Sequence, residues 1–524
     1  MTPEARQGRA TGPGRVQWER LFALEPSPWL PLQTRLRQAI VQALLEGRLA
    51  AGAPMPSSRE LARLLGLSRN TVTAAYDQLV DEGFLQARPR SGIFVAHAKR
   101  TADLLPRSAQ PAHPPAVPTS GHAPDWSHRL HRSLARQPML AKPVRWRDYP
   151  YPFVYGQHDP ELFPTEDFRE CVVRTLARAR QPRWTPDFET DDVPELVEQI
   201  RLRLLPQRGV FALPDEILVT VGAQHAYHLL AEGLFHAETR VGLEEPGHPH
   251  ARNTFSLRSP RMLAVPVDAD GLVVDSLPPL DYLFVTPSHQ SPTTVTLALE
   301  RRSALLARAE REDFIVVEDD YEAENLHTGV PMPALKSLDR TGRVVYVGSL
   351  SKSLSPALRL AYIVAPRDLV AELRLLRHAM VRHPSTLLQQ AYALFLALGH
   401  HESHARRVNA ALRERTAALA MALREFLPDF SFCLPQGGAS LWLQAPHWCD
   451  GAELSTIARG HGVLVEPGNV FFAAPPYPCP HLRLRLSSIP AAQIAAGVRA
   501  LSLAVDELAA ARGVVRTPTT PAAH

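Results

Sequence analysis

Seven short runs dense in Val, Ile and Leu punctuate the chain between residues 217 and 365: ILVTV, RVGLE, MLAVPV, YLFVT, FIVVED, RVVYVG and LAYIVA. Their apolar residues follow one another instead of alternating, so both faces of each strand must be covered. Helix-length or loop-rich connections separate most of them. This pattern predicts an α/β fold with a seven-stranded, mainly parallel sheet and helices on both faces. In such sheets ligands gather at the carboxyl ends of the strands.

At 524 residues the chain is too long for one ordinary core. Eight prolines between Pro106 and Pro143, mixed with Ser, His, Ala and Gly, mark a semi-extended linker. The expected division is a flexible N-terminal segment over 1–24, a compact helical domain over 25–97, a Pro-rich linker over 98–148, the α/β domain over 149–512 and a flexible tail over 513–524. A short helix around Trp126 to Ala135 would interrupt the linker. No run of eighteen apolar residues suggests a membrane span, and the first residues lack the apolar stretch of a secretory signal. Four scattered cysteines without CxxC spacing fit a reducing cytoplasm and argue against structural zinc. A net charge of +4 is too mild to imply nucleic acid by itself.

The N-terminal block carries a more local signal. PLQTRLRQAIVQALLEG places Leu36, Ala39, Ile40, Ala43 and Leu44 on one helical face, and Gly47 closes it. PSSRELARLLGLS begins with Ser57 and Glu60 at capping-box spacing and stops at Gly66. A tight turn then leads to a third helix, capped by Ser68 and ending at Gly83. Two short helices joined so tightly predict a helix-turn-helix, whose second helix enters a major groove. FLQARPRSGIFVA reads as two strands with an RPRSG tip, a wing. Ser68, Arg69, Asn70, Thr71 and Thr73 gather at the start of the recognition helix, where they can reach bases or phosphates. Arg59, Arg88 and Arg90 are candidate phosphate contacts. A winged helical bundle used for protein contacts is the alternative, and the constellation favours DNA.

Three strand ends carry the chemistry. After ILVTV comes GAQHAYHLLAEGL, whose first turn holds Gly222, Ala223 and Gln224. Free amides at a helix start, approached closely because of the glycine, suit a phosphate; such turns also occur for packing alone. After FIVVE come Asp319, Asp320 and Tyr321. A carboxylate beside a pyridine nitrogen keeps that nitrogen protonated, while the EDD run equally suits a helix cap or a metal ligand. After RVVYVG come Ser349, Ser351, Lys352 and Arg359. A lysine in that pocket can form a Schiff base, and the serines and arginine can hold a phosphate nearby. Together these are the groups that pyridoxal 5'-phosphate requires.

The residues MPSSRELARLLGLSRNTVTAAYDQLVDEGFLQARPRSGIFV resemble the winged helix of GntR-type bacterial regulators. From about Tyr149 onward the order and spacing resemble the fold type I aminotransferases. Both halves in this order resemble the MocR/GabR type of bacterial transcription factor, on YPFVYGQHDPELFPTEDF, VTPSHQSPTTV, VVEDDYEAE and GSLSKSLSPALRLAY. The resemblance implies that Lys352 carries the cofactor, Asp319 pairs with its ring nitrogen and Tyr321 bonds its ring hydroxyl. Ser349, Ser351, Arg359, Ala223 and Gln224 would surround the phosphate. It also implies a head-to-tail homodimer in which each DNA-binding domain crosses to the other subunit.

Several positions depart from that pattern. His248 stands where a tyrosine commonly stacks on the ring, Thr294 and Ala361 stand where glycine is usual, and ENLHTG lacks an aromatic residue. Arg483 in HLRLRLSS matches the arginine that binds the effector carboxylate, with Arg485 alternating on the same strand face. The expected function is a cytoplasmic, pyridoxal phosphate-dependent regulator that binds double-stranded operator DNA and responds to an amino acid or amine. An active aminotransferase with an appended DNA-binding domain is the alternative.

Overall fold

The computed structural model describes residues 18–22, 24, 30–96, 126–130, 137–140, 142–154, 159–186, 191–325 and 332–516, in two units divided after residue 132. Most of the expected linker, and residues 517–524 of the expected tail, lie outside the described residues.

The first unit packs three helices, α1 (Leu32–Leu45), α2 (Ser58–Leu65) and α3 (Arg69–Asp81). Ser57 caps α2 by accepting the Glu60 N–H, and Gly66 ends it in a left-handed conformation with φ 65°. Ser68 then caps α3 by accepting the Thr71 N–H, so polar caps at both helix starts fix the turn between them. Leu36 and Ile40 of α1, Leu61 of α2 and Val72, Tyr76 and Leu79 of α3 form one core. The hairpin β1 (Leu85–Arg88) and β2 (Gly92–Val95) is the wing, with Arg88 opposite Gly92. One expectation is corrected here. The segment before residue 25 is not wholly loose, because Trp18–Leu21 forms a helical turn and Phe22 is fully buried in this core. Trp18 stacks on Phe22, and Arg35 and Arg48 donate to Leu24 O and Leu21 O, which ties the segment to the helices.

In the second unit all seven expected strands form: β3 (Ile217–Thr220), β4 (Val241–Glu245), β5 (Met262–Asp268), β7 (Tyr282–Val285), β8 (Ile315–Asp320), β9 (Val344–Ser349) and β10 (Ala361–Val364). A two-residue strand, β6 (Gly271–Leu272), turns back on β5 and makes the sheet eight-stranded, in the order β3-β10-β9-β8-β7-β4-β5-β6. The five strands from β9 to β5 are parallel, while β10 runs antiparallel between β9 and β3. The connection from β9 to β10 is too short for a helical crossover, which forces the reversal. α4 (Ala223–Leu234) and α5 (Pro249–Phe255) follow β3 and β4.

The sequence reading did not separate a smaller C-terminal lobe. The 27-residue helix α6 (His400–Phe426) leads to a second sheet, ordered β11 (Ser431–Phe432), β12 (Ser440–Gln444), β14 (His481–Arg485) and β13 (Glu466–Pro467). Helix α7 (Ala491–Ala511) closes it over a core that includes Leu419, Leu441, Leu484 and Val498. Phe153 is buried in the same core, and Tyr151–Pro152 pair in parallel with Val463–Leu464. The chain leaving the linker is thus sewn to this lobe. The start of the expected tail is tied down as well, because Arg516 pairs with Asp429 and Asp506. Among the described residues, no helix is long and apolar enough to cross a membrane.

Candidate functional site

The carboxyl ends of β3, β8 and β9 meet at a cavity of about 320 Å³ whose walls include Gly222, His248, Tyr321, Lys352, Arg359 and Arg485. Lys352 lies in the short helix Ser351–Leu354 just beyond β9, with its Nζ 4.0 Å from the centre of the Tyr321 ring. The Tyr321 hydroxyl is buried, and that burial raises its pKa far above the usual phenol range.

The three acids of the EDD run separate by the two-residue period of the strand. Glu318 accepts the N–H groups of Leu335 and Lys336, each at 2.7 Å, and so caps the helical turn that follows. Asp320, on the same face, is bound by Arg208 at 2.7 Å and by the Tyr346 hydroxyl at 2.9 Å. Only Asp319 points the other way. Its Oδ2 accepts from the Tyr227 hydroxyl at 2.6 Å, while Oδ1 is buried without a hydrogen-bond partner among the described residues. Burial pushes Asp319 up to about 7, against the Tyr227 hydrogen bond and the charge of Lys352, which both lower it. An acceptor held on one oxygen and unsatisfied on the other fits the protonated nitrogen of a pyridine ring. Tyr227 was invisible in the sequence, where it sits at an ordinary core position of α4.

At the other end of the cavity, Gly222 with φ 74° precedes the first turn of α4, so the amides of Ala223 and Gln224 open toward Arg359. Arg359 itself has φ 52° and donates to Val221 O at 3.3 Å. The Gln224 side chain is bonded to Thr254, which leaves its backbone amide as the group available to an anion. Ser349 lines the cavity, and the side chain of Ser351 lies outside the described ones. Oxygen-rich anions fit this cradle, and the Asp319 end fits a pyridine; the residues present therefore match pyridoxal phosphate.

His248 accepts the Ala251 N–H on Nδ1 at 3.2 Å, capping α5, and meets the Tyr227 ring edge-on with centroids 6.1 Å apart. Burial, helped by His250 and Lys352, holds its pKa well below the ordinary imidazole value. It presents a neutral, flat ring to the cavity. Thr294, which replaces an expected glycine, keeps a glycine-like φ of 66°. Leu326 to Gly329 of the ENLHTG stretch lie outside the described residues.

The two arginines of β14 have different partners. Arg483 donates through Nε to Glu466 at 2.7 Å and stacks on Phe471 at 4.5 Å. It does not line the cavity. Arg485 does, and it donates to Glu322 at 2.6 Å. The charge of Arg483 is among those that lower the pKa of His248 and His250, so it stands beside the cavity wall.

In the first unit, Arg59, Arg69, Asn70, Arg88 and Arg90 are exposed. Thr73 is half-buried on α3, Arg88 packs over Phe94 at 4.4 Å, and Arg90 sits at the wing tip with φ 63°. The Ser68 hydroxyl is occupied by the Thr71 N–H at 3.1 Å and the Thr71 hydroxyl at 2.8 Å, so these two set the helix start.

Two family models match the chain: bacterial regulatory proteins of the gntR family over residues 32–95, and aminotransferase class I and II over residues 170–501. The chain is 42% identical over 485 residues to the HTH-type transcriptional regulator TauR of Rhodobacter capsulatus, covering 92% of this chain and 98% of that protein. It is 32% identical to the probable rhizopine catabolism regulatory protein MocR of Rhizobium meliloti, covering 87% and 90% respectively. Among solved structures, the α-aminoadipate aminotransferase LysN of Thermus thermophilus, complexed with N-(5'-phosphopyridoxyl)-L-leucine, superposes with a TM-score of 0.66 at 29% identity. That match covers 74% of this chain and 99% of LysN.

Proposed function

The chain belongs to the MocR-type transcription regulators, a GntR DNA-binding domain joined to a pyridoxal phosphate-binding aminotransferase domain, and we propose that an amino acid or amine reaching Lys352 sets its affinity for operator DNA. The observation that carries this reading is the convergence of Lys352, Tyr321, Arg359 and Arg485 on one cavity, with Asp319 behind it.

Pyridoxal phosphate supplies an aldehyde carbon that condenses with primary amines and an electron-withdrawing ring. The chain's own residues do the rest. Lys352 would hold the cofactor through its side-chain amine. Asp319, steadied by Tyr227, keeps a proton on the ring nitrogen. The first turn of α4 and Arg359 bind the phosphate, with Ser349 beside them. Tyr321 bonds the ring hydroxyl, and His248 lies against the ring as an uncharged surface. Arg483 receives an acid group of the effector, with Arg485 beside it on the same strand face. Arg69 and Asn70 read bases, while Arg59, Arg88 and Arg90 hold phosphates. The protein works in the cytoplasm as a head-to-tail homodimer, and the effector acts by its differential affinity for two arrangements of that dimer.

The intact Lys352 and the aminotransferase neighbours favour one second reading, a working aminotransferase with a DNA-binding appendage. One experiment separates them. Amino compounds are titrated into the cofactor-loaded chain while cofactor absorption, operator affinity and keto acid release are followed. A sensor shifts absorption and DNA affinity with little keto acid. Steady release near the ~10 per second median of enzymes would mark an aminotransferase.

A further inference from the structure

A second cavity, of about 240 Å³, lies on the other side of β8 and β9, and of its lining residues only Ser349 also lines the cavity of Lys352. Asp320 faces it because successive side chains of β8 alternate, so the strand that turns Asp319 toward the cofactor turns Asp320 away. His401, Ala405 and Asn409 line it at four-residue spacing, one face of α6. Tyr346 and Tyr362, from β9 and β10, give it two aromatic surfaces.

The charged groups around this space are committed to one another, with two exceptions. Glu324 is engaged by His401 at 2.8 Å and Glu402 by Arg203 at 3.2 Å. Asp320 accepts from Arg208 Nε at 2.7 Å and from the Tyr346 hydroxyl at 2.9 Å. Arg208, only 6% exposed, also donates through Nη2 to Ser288 at 2.8 Å, but its Nη1 has no partner among the described residues. Arg406 lines the same cavity from an exposed position and makes no hydrogen bond or ion pair with the described residues. A buried guanidinium edge without an acceptor is costly, and an anion in the cavity would remove that cost. Two guanidiniums, one of which already shares its charge with Asp320, suit one negative charge better than two. The aromatic surfaces suit a flat apolar body.

We propose that this rear cavity is a second, non-covalent binding site, which takes a small organic carboxylate with a flat apolar body. Arg208 and Arg406 receive the carboxylate, and Tyr346 and Tyr362 pack against the body. The site is independent of what reaches Lys352, and its occupant lies behind the strand that delivers that lysine.

The test titrates benzoate and its neutral counterpart benzamide into the full cofactor-loaded chain by calorimetry. Benzoate is expected to saturate one site per chain, and benzamide to bind about tenfold more weakly or worse, the effect of losing a charge-assisted contact. Ala405→Phe adds a ring to the α6 wall and is expected to abolish benzoate binding. Arg406→Gln removes a charge from an exposed position and is expected to weaken benzoate by about threefold or more, which keeps the test intact should Ala405→Phe fail to fold. Neither residue lines the cavity of Lys352. Benzoate held by an arginine there would therefore bind both variants as it binds the parent, and that result overturns the proposal. So does the absence of saturable benzoate binding, or equal affinity for benzoate and benzamide.

Discussion

Arg359 lies so close over Gly222 that a β-carbon added at Gly222 would meet the guanidinium at 2.7–2.8 Å. The glycine also has φ 74°, which L side chains adopt only under strain. Gly222→Ala should therefore push Arg359 off the start of α4 and loosen the anion cradle. With about 1–3 kcal/mol of strain to relieve, cofactor affinity should fall roughly tenfold or more. Equilibrium titration of the cofactor-free chain with pyridoxal phosphate measures this.

Lys352→Ala should abolish the visible absorption of the loaded chain, because the covalent link to the cofactor is lost. Asp319→Asn should keep that absorption but alter it and weaken cofactor binding, since the ring nitrogen loses its counter-charge. Absorption spectra of the purified variants check both outcomes.

Stability of the cofactor-free chain should depend on pH through its buried carboxyls. Burial pushes Asp319 from 3.8 up to about 7, and Glu244 from 4.5 up to about 7 against its Thr286 and Gln290 hydrogen bonds. The folded state thus binds more protons than the unfolded state between roughly pH 4 and pH 7. The contribution of these groups is full below the unfolded values and is lost as pH rises through about 7. Relative to the parent, the denaturant midpoint of Asp319→Asn should rise as pH rises from about 4 to about 7, which isolates the Asp319 contribution from that of His225 and His248, whose lowered pKa acts in the opposite sense.

The two arginines of β14 should behave differently. Arg483→Ala should weaken the response to acid-bearing effectors while sparing the cofactor absorption. Arg485→Ala leaves Glu322 buried without its guanidinium partner and should cost about 3–5 kcal/mol of stability, the usual penalty for breaking a buried ion pair. Thermal denaturation and effector titration of the two variants, side by side, decide between these roles.

On the DNA face, Arg69→Ala should cost about 1–3 kcal/mol on the specific operator if it reads a base, and Arg88→Ala should weaken all sequences alike and lower the salt slope by about one. Ser68→Ala should act through stability, by about 1 kcal/mol, because its hydroxyl caps α3. Binding isotherms at several salt concentrations, with a melting curve for Ser68→Ala, separate the three effects.

The sequence displayed the large sheet because its strands are apolar on both faces, a signal that depends on local residues alone. Two-residue strands such as β6, β11 and β13 carry no period, so the eighth strand of the large sheet and two strands of the C-terminal sheet were not legible. The EDD run was ambiguous as text, but a strand sends successive side chains to opposite faces, and that separates Asp319 from Glu318 and Asp320. Arg483 and Arg485 share a face, so periodicity could not choose between them. Their partners differ: Glu466 lies 17 residues before Arg483 and Glu322 lies 163 residues before Arg485. Tyr227 was missed for the same reason, since an aromatic residue on a buried helical face looks like packing until its hydroxyl is seen on Asp319.

The pairing of Tyr151–Pro152 with Val463–Leu464 makes the C-terminal lobe the mooring of the tether from the N-terminal unit. Phe153 is the peg, buried in that lobe's core, and Ser488 grips Pro152 O at 2.7 Å. The same lobe carries Arg485 on β14. A rotation of the lobe as a rigid piece would drag the tether's root along with the arginine, as a capstan takes up rope.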